Sequence, residues 1–326
     1  MKEQLLTKKI LKWYDLNKRS LPWRKSVSLQ KRHYYTLVSE FMLQQTQVAT
    51  VIPYFNRFIK DITNLKSLAK VQNKKLIKLW EGLGYYSRAR NLKKTAQVII
   101  KHFKGKLPNN FEDLISLPGI GNYTASAILA IAFNKPYIPL DGNIERVLKR
   151  YLYLKKDKEI QKDNLLQKKI IFGISSRSSD YAQALMELGA LICKPTNPLC
   201  YQCPISKKCK SFKKKDFNLT KNIKKNTDKY FLLKVYKKDQ RYLLIKNTKF
   251  NFLKNLTIFP MEELSSPKNF NENLIFKMSN MNMSIKIQYS KNNKKLPSSY
   301  WVDQKKINNY MLPTFTKKVV KYLERN

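Results

Sequence analysis

All four cysteines of this chain fall within seventeen residues, at Cys193, Cys200, Cys203 and Cys209. The spacing is C-x6-C-x2-C-x5-C, with Pro204 directly after the third. Four thiolates that close in sequence can meet at one point, and a metal ion or a cluster is what such a point usually holds. Disulfides need an oxidising compartment. The N-terminal stretch MKEQLLTKKILKWYDLNKRS is charged and amphipathic and has no apolar core of signal-peptide length. No segment approaches the ~18 apolar residues of a membrane span. The expectation is therefore a cytoplasmic chain with reduced thiols and no membrane partner. Zinc sites of four cysteines commonly use two C-x-x-C knuckles. Here only Cys200 and Cys203 form one, and the wider outer loops suit an iron–sulfur cubane better than a single ion. Spacing alone leaves both open.

A length of 326 residues suits two domains. The formal net charge is +43, which suggests a polyanionic partner, most simply nucleic acid. The same lysine richness accompanies abundant Asn and Ile, a bias that base composition also produces. Only His33 and His102 are histidines, which all but removes Ser-His-Asp chemistry and leaves carboxylates, Tyr or Lys to move protons.

The periodicity predicts a helix over residues 3–17 and helical structure from Tyr34 to about Leu191. Residues 210–229 are lysine-rich with few apolar side chains and read as a solvated linker. Beyond Tyr230, the runs YFLLKVY, RYLLIKN, LTIFP and MSIKIQY read as strands, and TFTKKVVKYLERN as a final helix. The expected organisation is a mainly α domain over 1–209 with the cysteine loop at 193–209, a basic linker over 210–229, and an α+β domain over 230–326.

Glycine is scarce: eight in all, and none after Gly189. Average usage of ~7% would give about three times as many. Glycine should then persist where a side chain cannot fit. Two stand in Leu117-Pro118-Gly119-Ile120-Gly121-Asn122-Tyr123-Thr124-Ala125, ahead of the apolar run ILAIAF. This reads as a helix–hairpin–helix, in which Gly119 and Gly121 allow a tight turn with outward N–H groups. The dipole of the following helix adds to a phosphate site that ignores base sequence. An ordinary helix–turn–helix of a bundle is the competing reading.

Two carboxylates stand out. Glu40, in TLVSEFMLQQTQ, has Leu37 and Leu43 three residues to either side, which places it on an apolar helix face, where burial would raise its pKa. It could equally be an exposed glutamate at the end of that stripe. Asp141, in IPLDGNIERVLKR, precedes a helix and is first of all an N-cap. The Pro-Leu-Asp-Gly turn would also hold it rigidly, and an ionised Asp near a protonated Glu lets two carboxylates take opposite roles.

Together, the hairpin, the aspartate twenty residues beyond it and the cysteine loop resemble the endonuclease III superfamily of base-excision glycosylases. Within it, VSEFMLQQTQVATVIPYF, LWEGLGYYSRARNL and LDGNIERVL are similar to the MutY family of adenine glycosylases. The likeness runs from about Trp13 to Cys209. It implies the helix–hairpin–helix glycosylase fold with its active site between two helical lobes, and one [4Fe–4S] cluster on the four cysteines. It implies that Glu40 is the general acid at adenine N7 and that Asp141 stabilises the oxocarbenium-like sugar, with Asn143 and Tyr123 orienting them. Gln45 and Tyr85 match residues that wedge into the base stack, and Arg24 matches a pocket residue.

Tyr123 stands where bifunctional relatives carry an imine-forming lysine, which implies a monofunctional enzyme leaving an abasic site. The C-terminal region resembles a degenerate Nudix-like domain. Its lesion-reading turn falls on Met278-Ser279-Asn280, with Ser279 able to hydrogen-bond 8-oxoguanine. The implied substrate is double-stranded DNA with adenine opposite 8-oxoguanine or guanine, met by a monomer at the bacterial nucleoid. An endonuclease III-like glycosylase for oxidised pyrimidines is the alternative.

Overall fold

The computed structural model describes residues 2–155, 176–219, 226–265, 270–278, 281–290, 296–305, 307, 310 and 312–325, with side chains from Leu6 onward. The chain divides into two compact units: Met1–Val71 with Ser87–Lys221, and Gln72–Tyr86 with Asn222–Asn326.

Among the described residues the first unit is helical. It begins with α1 (Lys2–Asn17), a short turn Pro22–Arg24, α2 (Leu29–Leu43), α3 (Val48–Asp61) and α4 (Leu65–Lys70). The helix α5 (Asn73–Leu79) belongs to the second unit. The first unit resumes with α6 (Ser87–His102), α7 (Phe111–Ser116), α8 (Asn122–Ile131) and α9 (Gly142–Leu152). Beyond the undescribed stretch come α10 (Ser178–Glu187), a wider turn Leu188–Ile192, and α11 (Lys210–Lys214).

Apolar spacing explains which faces are covered. Leu37, Val38, Phe41 and Met42 bury α2, while Ala89, Leu92, Ala96 and Ile99 bury one face of α6. Side chains satisfy several free helix N-termini. Asn64 accepts from the Ser67 N–H at 2.9 Å, and Asn110 from the Asp113 N–H at 2.8 Å. A separate core, built from Ile10, Leu11 and Tyr14 of α1, Ile144, Val147 and Leu148 of α9, and Tyr181 to Leu188 around α10, has Cys193 and Cys203 packed against its edge. That core seats the cysteine loop beside the start of α9.

The second unit carries β1 (Thr227–Val235), β2 (Lys237–Lys238), β3 (Arg241–Lys246), β4 (Thr257–Ile258), β5 (Met261–Leu264), β6 (Leu274–Met278), β7 (Met281–Tyr289), β8 (Ser299–Asp303) and α12 (Thr314–Leu323). One sheet has the order β5-β1-β7-β6, with β1 and β7 parallel and the outer pairs antiparallel. The other runs β2-β3-β4, with β8 also on β3. Alternation in β1 buries Phe231, Leu233 and Val235 in one core with Phe315, Val319 and Val320 of α12. The expected fold classes are what the chain forms, a helical unit and an α+β unit, with Gln72–Tyr86 grouped in the second. Within this unit Glu81, just past α5, pairs with Lys78 at 2.7 Å and with Lys317 of α12 at 2.5 Å.

The stretch read as a solvated linker departs from that reading over its first half. Residues 210–214 are helical, Ser211 is fully buried, the Tyr153 hydroxyl donates to Asp216 at 2.8 Å, and Arg150 donates to the Phe217 carbonyl at 3.2 Å. Leu219 is 9% exposed. Lysine-rich composition concealed Phe212, Phe217 and Leu219: Phe212 packs edge-on to Tyr201, and Phe217 lies against the Arg150 guanidinium of α9. The strand β1 already begins at Thr227. No described helix is long and apolar enough to cross a membrane.

Candidate active site

Near the end of α2, Glu40 is 5% exposed, and its Oε2 is buried with no hydrogen-bond partner. An orphaned buried acceptor costs free energy unless something else uses it. Burial lifts the Glu40 carboxyl to about 7; the Tyr123 hydroxyl donating to it lowers it, the Asp141 charge raises it, and the Arg24 charge lowers it. A group poised there is protonated or ionised with equal ease near neutral pH. Tyr123, in the first turn of α8, is itself pushed well above its ordinary value by burial and by the Glu40 and Asp141 charges. It therefore stays a neutral O–H donor.

Asp141 caps α9. Its Oδ1 accepts from the Ile144 N–H at 2.7 Å, and its Oδ2 from the Asn143 carboxamide at 3.0 Å. The capping reading and the rigid-turn reading are thus both realised. Burial raises the Asp141 carboxyl, but the Ile144 and Asn143 hydrogen bonds and the Arg146 charge oppose the rise. Glu40 is therefore the carboxyl poised to hold a proton, and Asp141 the one whose anion is solvated by fixed donors.

Arg146, one turn into α9, ties this turn to the cysteine loop. It donates through Nε to the Cys193 carbonyl at 2.7 Å, and through Nη2 to the Asn143 Oδ1 at 2.8 Å and the Gly189 carbonyl at 2.7 Å. Gly189 has no room for a side chain: a Cβ there would stand 2.5 Å from the Asn143 Cβ. Neither contact was foreseen from the sequence.

Nor was Glu187, the fully buried last residue of α10. It accepts two hydrogen bonds from Arg19, at 2.8 and 2.9 Å, and one from Arg24 at 2.9 Å. Arg24 is thereby fixed within electrostatic reach of Glu40, with its own Nε buried and unpartnered. The available signal for Glu187 was a lone acid in the apolar run ALMELGALIC.

In the hairpin, Gly119 has φ +82, and a Cβ would lie 2.8 Å from the Asn91 Cβ and 3.0 Å from the Phe41 ring. Gly121 differs from expectation. It is extended, caps α8, and a Cβ there would meet nothing of the chain within 4 Å. Only Gly119 is demanded by the turn itself. Gln45, between α2 and α3, is exposed and left-handed, with φ 56. Tyr85 lies in the second unit, 44% exposed, with φ 47. Ser279 falls between the paired Met278 and Met281 and lies outside the described residues.

All four cysteine thiols are free and partly buried. Burial pushes Cys203 up to about 12, and the charges of the other three thiols add to the rise. Arg150 stands with its Nη1 3.5 Å from the Cys193 Sγ, and its backbone carbonyl accepts from the Cys209 thiol at 3.5 Å. Among the described residues no three His, Cys, Asp or Glu side chains already surround a point suited to a metal ion. The donor set is thiols alone, which suits soft thiophilic iron or zinc. Mutual repulsion of four thiolates calls for a multiply positive partner.

Comparison with known proteins gives the family. Residues 38–170 match the family described as HhH-GPD superfamily base excision DNA repair protein. The chain is 40% identical over 258 residues to the adenine DNA glycosylase of Buchnera aphidicola from Schizaphis graminum, covering 77% of this chain and 73% of that protein. It is 41% identical to the human adenine DNA glycosylase, over 62% of this chain and 38% of the human protein. Among solved structures, a thermostable thymine-DNA glycosylase superposes with a TM-score of 0.58 at 28% identity, over 65% of this chain and 97% of that one.

Proposed function

The chain belongs to the adenine DNA glycosylase family of HhH-GPD base excision repair proteins, a DNA glycosylase by descent, and we propose that it hydrolyses the N-glycosidic bond of adenine opposite 8-oxoguanine or guanine. The observation that carries this reading is Glu40: a buried carboxyl near neutral pKa whose free Oε2 faces no protein partner, electrostatically coupled to a capped Asp141.

In this reading Glu40 donates its proton to N7 of an extruded adenine. The C1′–N9 bond breaks, its electron pair leaving with the base, and the developing oxocarbenium ion meets the Asp141 carboxylate. The ionised Glu40 then accepts a proton from water as that water adds to C1′. Tyr123 holds Glu40, and Asn143 holds Asp141. Tyr123 offers no amine, so the sugar forms no imine and the product is an intact abasic strand. Gln45 holds the opened stack, and Arg24, anchored by Glu187, lines the base pocket. The open space at Gly121 leaves room for a DNA backbone to approach the first turn of α8.

Cys193, Cys200, Cys203 and Cys209 would hold a [4Fe–4S] cluster. Bound there, it would supply a structural staple, closing the loop onto the core that carries α9. The second unit would discriminate the base opposite adenine, with Ser279 as its hydrogen-bonding residue. We place the enzyme as a monomer in the cytoplasm, at the nucleoid.

The test offers the purified chain duplexes with adenine opposite 8-oxoguanine, adenine opposite guanine, and thymine glycol, each followed by hot alkali. Breaks only at adenine, and only after alkali, support the proposal. Breaks at thymine glycol, or at adenine without alkali, would overturn its substrate or its monofunctional part.

A further inference from the structure

The last carbonyls of α2 converge on one side chain. Arg88, in the first turn of α6, donates through Nη1 to the carbonyls of Phe41 at 3.1 Å, Met42 at 2.6 Å and Gln44 at 2.6 Å. Its side chain is buried, at 6% exposure. A helix C-terminus presents unsatisfied carbonyls and partial negative charge, so a buried cation there forms charge-assisted caps.

The next residue explains why the end needs such a cap. Gln45 is exposed and left-handed, with φ 56. Helices commonly close on a left-handed glycine, which needs no external support. A side-chain-bearing residue keeps that conformation only where its surroundings determine it, and such residues concentrate at functional sites. The surroundings here are specific. Arg88 fixes the main chain up to Gln44, and the Gln44 carboxamide reaches the hairpin, at 3.3 Å from both the Gly119 carbonyl and the Thr124 hydroxyl. A buried guanidinium carries a desolvation cost that a glycine at position 45 would avoid. What glycine cannot supply is the projecting carboxamide.

We propose that Arg88 is a positioning residue that locks the turn after α2 so that the Gln45 side chain is presented to the duplex. The proposal rests on the adenine glycosylase reading, which gives Gln45 its place in the opened stack.

The test is a double-mutant cycle in the full chain with Arg88→Met, Arg88→Lys, Gln45→Ala and the Arg88→Met/Gln45→Ala pair. The readouts are single-turnover adenine excision opposite 8-oxoguanine and the fluorescence gain of 2-aminopurine placed at the adenine position. Arg88→Met should lower both by about tenfold, as Gln45→Ala does, and the pair should be no worse than Gln45→Ala alone. Arg88→Lys should recover most of the loss, because one ammonium nitrogen can also donate to three carbonyls. If Arg88→Met melts too low to assay, Arg88→Gln takes its place with the same expectation. Losses that multiply, or an unchanged fluorescence gain in Arg88→Met, would overturn the proposal. A wild-type chain that removes no adenine would instead overturn the reading beneath it.

Discussion

Arg146 joins Cys193 to Asn143: one guanidinium donates at 2.7 Å to the first cysteine's carbonyl and at 2.8 Å to the carboxamide that solvates Asp141. The cysteine loop and the Asp141 turn are thus one hydrogen-bonded piece, although fifty positions separate them in the chain.

Replacing Arg146 by Met removes these charge-assisted bonds at once. The expected loss is about 2 kcal/mol of transition-state stabilisation, or some tens-fold in the single-turnover excision rate. Iron content per chain, measured beside the rate, should fall much less than the rate does.

The raised Glu40 pKa sets two pH dependences. A general acid must be protonated to act, so single-turnover rates should fall as pH rises through about 7. Stability moves the same way. The folded chain holds this proton more tightly than the unfolded one, so folding is favoured below the ordinary glutamate range and progressively penalised as pH climbs to about 7. Glu40→Gln removes the penalty. It should bind the mispair, cut nothing, and melt above wild type at pH 8 by an amount worth up to about 3 kcal/mol, with the gap closing near pH 4.5. A gap independent of pH would contradict the assignment.

The two hairpin glycines should respond differently to alanine. Gly119→Ala adds a Cβ in a left-handed conformation, 3.0 Å from the Phe41 ring next to Glu40. It should destabilise by about 2 kcal/mol, seen as a lowered urea midpoint. Gly121→Ala meets nothing of the chain within 4 Å, so its midpoint should hold while duplex affinity drops.

Removing one thiol tests the cluster. Cys203→Ser should yield chain that lacks the broad visible absorbance of an iron–sulfur cluster and is cleaved by protease between about residues 190 and 219. A colourless wild-type chain carrying one zinc would replace the cluster with a single ion.

How legible was all this? The cysteine quartet, the hairpin and the Asp141 turn could be read because each is a short contiguous motif whose geometry is local. The change from helical to alternating periodicity near Tyr230 announced the second fold class for the same reason. Other features were hidden because they join distant positions. Glu187 meets Arg24 from 163 residues away, and Arg88 reaches back to α2 across more than forty. Nothing in a linear pattern marks which arginine of a lysine-rich chain will be buried. The grouping of Gln72–Tyr86 with the C-terminal residues escaped the sequence too. The docking of 210–219 was missed because three apolar side chains were outweighed by composition.

Gly189 has a consequence for how such a chain breaks down. Its backbone is pressed against Asn143 with no space to yield, within the turn that leads straight to Cys193. Any distortion running back from a damaged loop arrives at Asn143, the side chain that holds Asp141. On the proposed chemistry, injury there withdraws the support of Asp141 and stops excision, so the protein fails shut.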